Sequence, residues 1–295
     1  MTSMATENPT GQPAYLYGYE VIDVLGEGAG SLIYAAADPI SGQLYALKHV
    51  VVKTEKDQRF VDQLTNEFEV GSKVKHPMIR KCIDMKVTKP LLRKATDAAL
   101  IMELFEGTSC EQRPPSSIDQ ILDIFIKTAD ALMAMHAQGY VHCDLKPNNI
   151  LVATDGRVKL IDLGQTCPIG SVKERIQGTP DFIAPEQVRR EPVTPQTDVY
   201  NLGATFYFML AGKKLPTLFT IKKSENSFLV ADVVESPADV NPKVPQNLSN
   251  LVMECVRPHA SRRPADMNEV HRRLEVIQHM YHNPIIANSD TALPA

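Results

Sequence analysis

The chain has 295 residues, 43% hydrophobic and 22% charged, which describes an ordinary soluble protein able to bury one large or two small cores. A formal charge of −4 argues against nucleic acid or an anionic membrane as the main partner, without excluding a local basic groove. Cys82, Cys110, Cys143, Cys167 and Cys255 are odd in number, scattered and free of any C-x-x-C pair. That argues against a disulfide framework or zinc knuckle and for reduced thiols in a cytoplasmic compartment.

Residues 1–14 are rich in Thr, Pro and Asn and read as a disordered tail, and Met1–Gly11 lacks the cationic start and apolar run of a signal peptide. Tyr19 to Leu25 and Ser31 to Ala35 are strand-like runs on either side of a glycine turn. Asp38-Pro39-Ile40-Ser41-Gly42 reads as a turn into a third strand, Gln43 to Val50. Phe60, Val61, Leu64 and Phe68 then recur at helical spacing to about Val74, and His76-Pro77 ends that helix. Two more strands are expected near Ile83 to Thr88 and Ala98 to Leu104.

The remainder reads as mostly helical. Ser117-Ile118-Asp119-Gln120 is a capping-box start for a long apolar-faced helix stopping near Gly139. Further helices are expected over Asp198 to Gly212, Leu248 to Val256 and Ala265 to Tyr281, with a frayed tail over 282–295. The longest apolar stretch, around Leu202 to Ala211, is far short of the roughly 20 residues that span a bilayer, so no membrane partner is expected. A strand-rich first third joined to a helical remainder predicts two lobes with a cleft available for a ligand.

The densest chemistry lies in His142-Cys143-Asp144-Leu145-Lys146-Pro147-Asn148-Asn149-Ile150-Leu151, followed by Ile161-Asp162-Leu163-Gly164. Phosphoryl transfer needs such a set: a carboxylate to orient the attacking hydroxyl, a cation for developing charge, and oxygen ligands for magnesium. Upstream, Gly26-Glu27-Gly28-Ala29-Gly30-Ser31 lies between two predicted strands, where glycines let backbone amides approach phosphate oxygens. It is not a P-loop, because no Lys-Ser/Thr follows at that spacing and no helix opens there.

The order and spacing of these motifs resemble the eukaryotic-type (Hanks-type) serine/threonine protein kinases, over about residues 17 to 281, and the short loops suggest a bacterial member. The resemblance implies an α+β, bilobal fold with an antiparallel N-lobe sheet carrying one main helix and a mainly α-helical C-lobe. It places the kinase domain at 15–281, with the lobes meeting near 105 and 106. Mg-ATP, with Mn2+ able to substitute, is the implied cofactor, and Ser/Thr hydroxyls of proteins are the implied acceptors.

Residue by residue, the resemblance makes Asp144 the base or orienting carboxylate and Lys146 the γ-phosphate ligand, with Asn149 and Asp162 the metal ligands. Lys48 of Ala46-Leu47-Lys48 matches the strand lysine that contacts phosphates and pairs with a helix glutamate. Analogy selects Glu67, with Glu69 the competitor about 200° around the helix. Gly26, Gly28, Gly30 and Ser31 would approach the phosphates. Met102 falls at the back of the adenine pocket, Glu103 to Phe105 at the hinge, and Leu25, Ile33, Ala46 and Leu151 around the ring. Thr179 before Ala184-Pro185-Glu186 matches the substrate platform. His142 matches a structural histidine packed under Leu163, Asp198 a brace of the catalytic-loop backbone, and Glu186 with Arg263 a buried ion pair.

The sequence departs from the family pattern at several points. Ser31 takes the third glycine position, and Gly30 a tip that is often aromatic. Leu163 stands for Phe and Tyr200 for Trp. Gly71 replaces a bulky apolar residue, which predicts a loosely docked helix. Cys143 replaces the arginine that a loop phosphate neutralises, which predicts activity without loop phosphorylation. Cys143 and Cys167 are read as buried thiols, with oxidant sensing the alternative. A nucleotide-binding scaffold and a small-molecule phosphotransferase remain the competing functions. Oligomeric state is not readable.

Overall fold

The computed structural model describes residues 13–28, 30–90, 94–221 and 234–283, so the expected terminal tails lie largely outside them. The chain divides into two compact units. The first holds the residues up to Lys75, then Ile79–Glu106, and Asp162–Gly164. Its strands are β1 (Tyr15–Leu16), β2 (Tyr19–Gly28), β3 (Ser31–Ala37), β4 (Leu44–Val51), β5 (Cys82–Thr88) and β6 (Asp97–Glu103), with helix α1 (Gln58–Lys73) between β4 and β5. They form one antiparallel sheet in the order β1-β2-β3-β4-β6-β5.

Strand β6 explains why this unit holds together. Ala98, Leu100 and Met102 enter one apolar cluster with Val61 and Leu64 of α1, while Ala99 and Ile101 enter another with Leu16, Tyr34 and Leu47. Period-two alternation sends successive side chains to opposite faces, so a strand covered on both sides reads as an unbroken apolar run. The turn predicted at Asp38 to Gly42 forms because Asp38 Oδ1 accepts from the backbone of Ile40 (2.8 Å) and Ser41 (3.1 Å).

The second unit comprises His76–Met78, Gly107–Ile161 and the residues from Gln165 onward. Its helices are α2 (Ile118–Ala137), α3 (Pro185–Arg189), α4 (Pro195–Ala211), α5 (Leu218–Ile221), α6 (Pro237–Val240), α7 (Gln246–Cys255) and α8 (Met267–His282). Short strands β7 (Thr108–Ser109), β8 (Tyr140–Val141), β9 (Ile150–Val152), β10 (Val158–Leu160) and β11 (Cys167–Pro168) pair as β10-β9-β7 and β11-β8. Helix α4 is buried around most of its circumference, the pattern of a helix central to a core. Phe206 of α4 stacks on Phe125 of α2. No helix among the described residues is long and apolar enough to cross a membrane.

Three local expectations change. Helix α4 starts at Pro195 rather than Asp198, because Thr194 takes the N-cap position and Pro195, with no N–H to satisfy, takes the first turn. The capping box at Ser117 is only half made: its hydroxyl accepts from Gln120 N, but Gln120 Oε1 accepts from Ser116 N instead. Residue 282 belongs to α8 rather than to a tail.

Candidate functional site

The first unit brings together Lys48, Glu67 and Asp162. Lys48, on β4, sends Nζ to 2.7 Å from Glu67 Oε2 and 3.0 Å from Asp162 Oδ1. Burial pulls the ammonium pKa down, but the two carboxylates outweigh it and hold it well above the usual lysine range. Glu67 is 3% exposed, whereas Glu69 faces solvent. Asp162 takes a left-handed backbone, φ 63°, unusual for a residue with a side chain.

The loose docking expected at Gly71 is not found. A Cβ at that position would lie 2.5 Å from Cys82 Sγ and 3.5 Å from Leu163 Cδ1, so a sulfur fills the place of the missing side chain. Cys82 Sγ also sits 3.6 Å from Glu67 O, one turn away. The sequence signal was available, but it required pairing Gly71 with a cysteine eleven residues on, in a strand.

At the glycine turn, Gly26 and Gly28 of β2 pair with Ile33 and Ser31 of β3. Gly30 has φ 75°, and a Cβ there would meet the Phe60 ring at 2.4 Å. The aromatic absent from the tip is thus supplied by α1, where Arg59 also lies 4.6 Å over the same ring. Ala46 pairs with Met102, and Tyr45 with Glu103, in the β4–β6 register. Ile33 packs against the cluster that holds Ala46 and Met102; Leu25 is 49% exposed and Phe105 is buried. Leu151 lies in the second unit, on β9.

The second unit gathers the rest. The loop after β8 carries Asp144, Lys146 and Asn149 past a short 3-10 turn, Pro147–Asn149. Lys146 Nζ reaches Asp144 Oδ2 and Thr179 Oγ1, both at 2.9 Å. Thr179 donates its N–H and its hydroxyl to Asp144 Oδ1, each at 2.8 Å. Asn149 Nδ2 donates to Asp144 O at 2.8 Å, which fixes which end of the amide is the donor and which the acceptor.

The loop backbone is held from below by α4. Asp198 accepts from His142 N (2.8 Å), Cys143 N (2.9 Å) and His136 Nε2 (2.8 Å). The His142 ring is fully buried, its Nδ1 accepting from Asp144 N. Sequence reasoning missed His136 and Gln187; Gln187 Nε2 donates to Cys143 O at 2.7 Å. Neither stood in a motif, so only the fold exposes them. Glu186 and Arg263 form a two-pronged pair at 2.7 and 2.9 Å, with Thr197 Oγ1 on Glu186 and the Tyr200 ring 4.9 Å from the guanidinium.

The model of the protein kinase domain family matches residues 19–282, and the chain belongs to that family. Among curated proteins it is similar to serine/threonine-protein kinase drp72 of Corynebacterium efficiens, at 26% identity over 86% of this chain and 50% of that one. Serine/threonine-protein kinase PknD of Chlamydia abortus is 27% identical over 90% of this chain and 31% of its own length. PknA of Corynebacterium glutamicum is 26% identical over 85% and 54%. The chain therefore spans about a third to a half of the length of these relatives.

Proposed function

We propose that this chain is a serine/threonine protein kinase that moves the γ-phosphoryl group of ATP to Ser or Thr hydroxyls of proteins. The observation that carries this reading is Asp144: Oδ1 accepts a threonine hydroxyl at 2.8 Å while Oδ2 meets the Lys146 ammonium at 2.9 Å. A carboxylate that takes a hydroxyl proton beside a fixed cation is what orienting an acceptor and offsetting transferred charge require. The names of the bacterial relatives support the same substrate class.

In this reading residues 15–281 are the catalytic domain. The family resemblance assigns Leu25, Ile33, Ala46 and Met102 of the first unit, and Leu151 of the second, to the adenine ring, and the backbone from Glu103 to Phe105 to its edge. Gly26, Gly28, Gly30 and Ser31 face the phosphates, and Lys48, steadied by Glu67, binds the α- and β-phosphates. Asn149 Oδ1 and the Asp162 carboxylate are hard oxygen donors suited to Mg2+ or Mn2+. When bound, that cation spreads the charge that builds on the phosphates.

Asp144 orients the acceptor hydroxyl and takes its proton, Lys146 steadies the γ-phosphate, and Thr179 holds both in register. Cys143 contributes no cation, and its side chain lies among Val141, Cys167 and Val193, which supports activity without loop phosphorylation. Five free thiols support a cytoplasmic setting for this chain.

The test is transfer of the γ-phosphate from Mg-ATP to a casein-type substrate by protein that mass spectrometry shows to be unmodified. Transfer should fall by roughly 10²–10⁴ in Asp144→Ala. ATP binding without turnover would favour the scaffold. Transfer to aminoglycosides alone would favour a small-molecule phosphotransferase. Activity only after modification at Thr166, Ser171 or Thr179 would refute independence from phosphorylation.

A further inference from the structure

Cys143 and Cys167 are set apart from the other thiols. Burial pushes Cys82, Cys110 and Cys255 up to about 12. Cys143 Sγ and Cys167 Sγ instead lie 3.7 Å apart, enclosed with Val141 and Val193. Two short strands bring them together, since Cys167 opens β11 and pairs with Val141 of β8, two residues before Cys143. Cys143 is the better sealed of the two, at 2% exposure against 8% for Cys167.

The backbone of Cys143 is fixed from both sides. Its N–H donates to Asp198 Oδ1 at 2.9 Å, its carbonyl accepts from Gln187 Nε2 at 2.7 Å, and its φ of 66° is left-handed. These bonds hold the main chain from which the Cys143 side chain reaches Cys167. Around Cys167, the hydrogen bond from the Cys143 thiol outweighs burial, helped by the Lys173 ammonium and the Ser171 hydroxyl, and the thiol is pulled below its ordinary range. Cys143 goes the other way, raised by the same sulfur partner, by burial and by the Asp198 charge. Cys167, the more exposed sulfur with the Lys173 ammonium nearby, is placed to attack, and the better sealed Cys143 to resolve.

We propose that Cys143 and Cys167 form a peroxide-oxidisable dithiol whose closure to a disulfide displaces Asp144. The Cys167 thiolate attacks one peroxide oxygen; the O–O bond breaks, hydroxide leaves, and Cys167 becomes a sulfenic acid. The Cys143 sulfur then attacks that sulfenic sulfur. The S–S bond forms as the S–O bond breaks, and the departing hydroxide takes the Cys143 proton as water. Two thiols and one peroxide give one disulfide and two waters, with two electrons passing from sulfur to oxygen. The sulfurs must close by roughly 1.7 Å, from 3.7 Å to a bond of about 2.05 Å. Because Cys143 and Asp144 are adjacent in sequence, any share of that movement taken by the main chain falls on the peptide that joins them.

The effect on transfer rests on the kinase reading, whereas the bridge itself does not. Reduced full-length protein would be exposed to hydrogen peroxide, alkylated, digested and mapped by mass spectrometry. The expected result is a peptide pair crosslinked through Cys143 and Cys167, reversed by dithiothreitol, with Cys82, Cys110 and Cys255 still alkylated after unfolding. Cys143→Ser should leave a trappable sulfenic acid on Cys167, and Cys167→Ser should leave Cys143 unoxidised, with circular dichroism confirming that both variants fold. If both thiols stay reduced, or bridges form indiscriminately, the site is refuted. Transfer should drop roughly tenfold to a hundredfold on bridging and recover on reduction, with Cys167→Ser indifferent to peroxide. A bridge that leaves transfer unchanged would refute the displacement of Asp144. A bridge in a protein that transfers in neither state would leave the redox site standing and remove the kinase reading.

Discussion

Replacing Gly71 by alanine puts two residue-scale effects in opposition. The helix gains about 1 kcal/mol of propensity, while a Cβ 2.5 Å from Cys82 Sγ overpacks the core at a cost of about 1–3 kcal/mol. Overpacking should win, so Gly71→Ala lowers stability in urea unfolding, and adding Cys82→Ala should recover most of the loss. Two arginines make a second contrast. Arg263 is fully buried and paired with Glu186, so Arg263→Met should cost about 3–5 kcal/mol by stranding a carboxylate. Arg80 has a buried Nε with no hydrogen-bond partner among the described residues, and only the nearby charges of Glu67, Glu103 and Asp162 favour its cation, so Arg80→Met should cost less than Arg263→Met. Comparable losses in the two variants, measured under the same conditions, would contradict this account.

At the scale of elements, α7 and α8 are joined by Arg273, whose two terminal nitrogens reach Glu254 at 2.6 and 2.9 Å. Arg273's hydrogen bonds hold the Glu254 carboxyl below the usual range. A depressed acid stabilises the fold above its unfolded pKa and loses that contribution as pH falls through the folded one. The side chains are 33% and 40% exposed, so after solvent screening the pair is worth no more than about 0.5 kcal/mol. The melting temperature of Glu254→Gln should lie slightly below wild type at pH 7 and merge with it in acid, once the pH has fallen through the lowered Glu254 range. A gap that persists in acid would assign the effect to packing. Elements of this length were legible where an apolar period or a glycine stop marked them, as in α1 and α2. Strands β7 to β11 were not, because two or three residues carry no period. Helix α4 was read three residues short because its start signal, Thr194-Pro195, is polar and precedes the apolar run.

For the whole molecule, the division into two units was legible as a change from period two to period 3.6, and the ordered motifs carried the candidate site. The sequence left open Glu67 against Glu69, the filling of Gly71 by Cys82, and the meeting of Cys143 with Cys167. Each depends on which face of an element is covered, and no local pattern records that. A nucleotide that binds the folded chain alone should raise its stability by about 2.7 kcal/mol at a hundred times Kd. Mg-ATP should therefore lift the melting temperature of wild type and of Asp144→Ala, but not of Lys48→Met, as read by differential scanning fluorimetry. An equal lift in Lys48→Met would remove Lys48 from nucleotide binding. The Tyr200–Arg263 stack has an optical use, since the chain contains no tryptophan. Tyr200→Trp would install a single indole, buried in the second unit and lying against a guanidinium, an arrangement that favours indole over phenol. Its emission would shift to longer wavelength only when the second unit opens, so that unit's unfolding could be followed separately from the loss of β-sheet signal in the first.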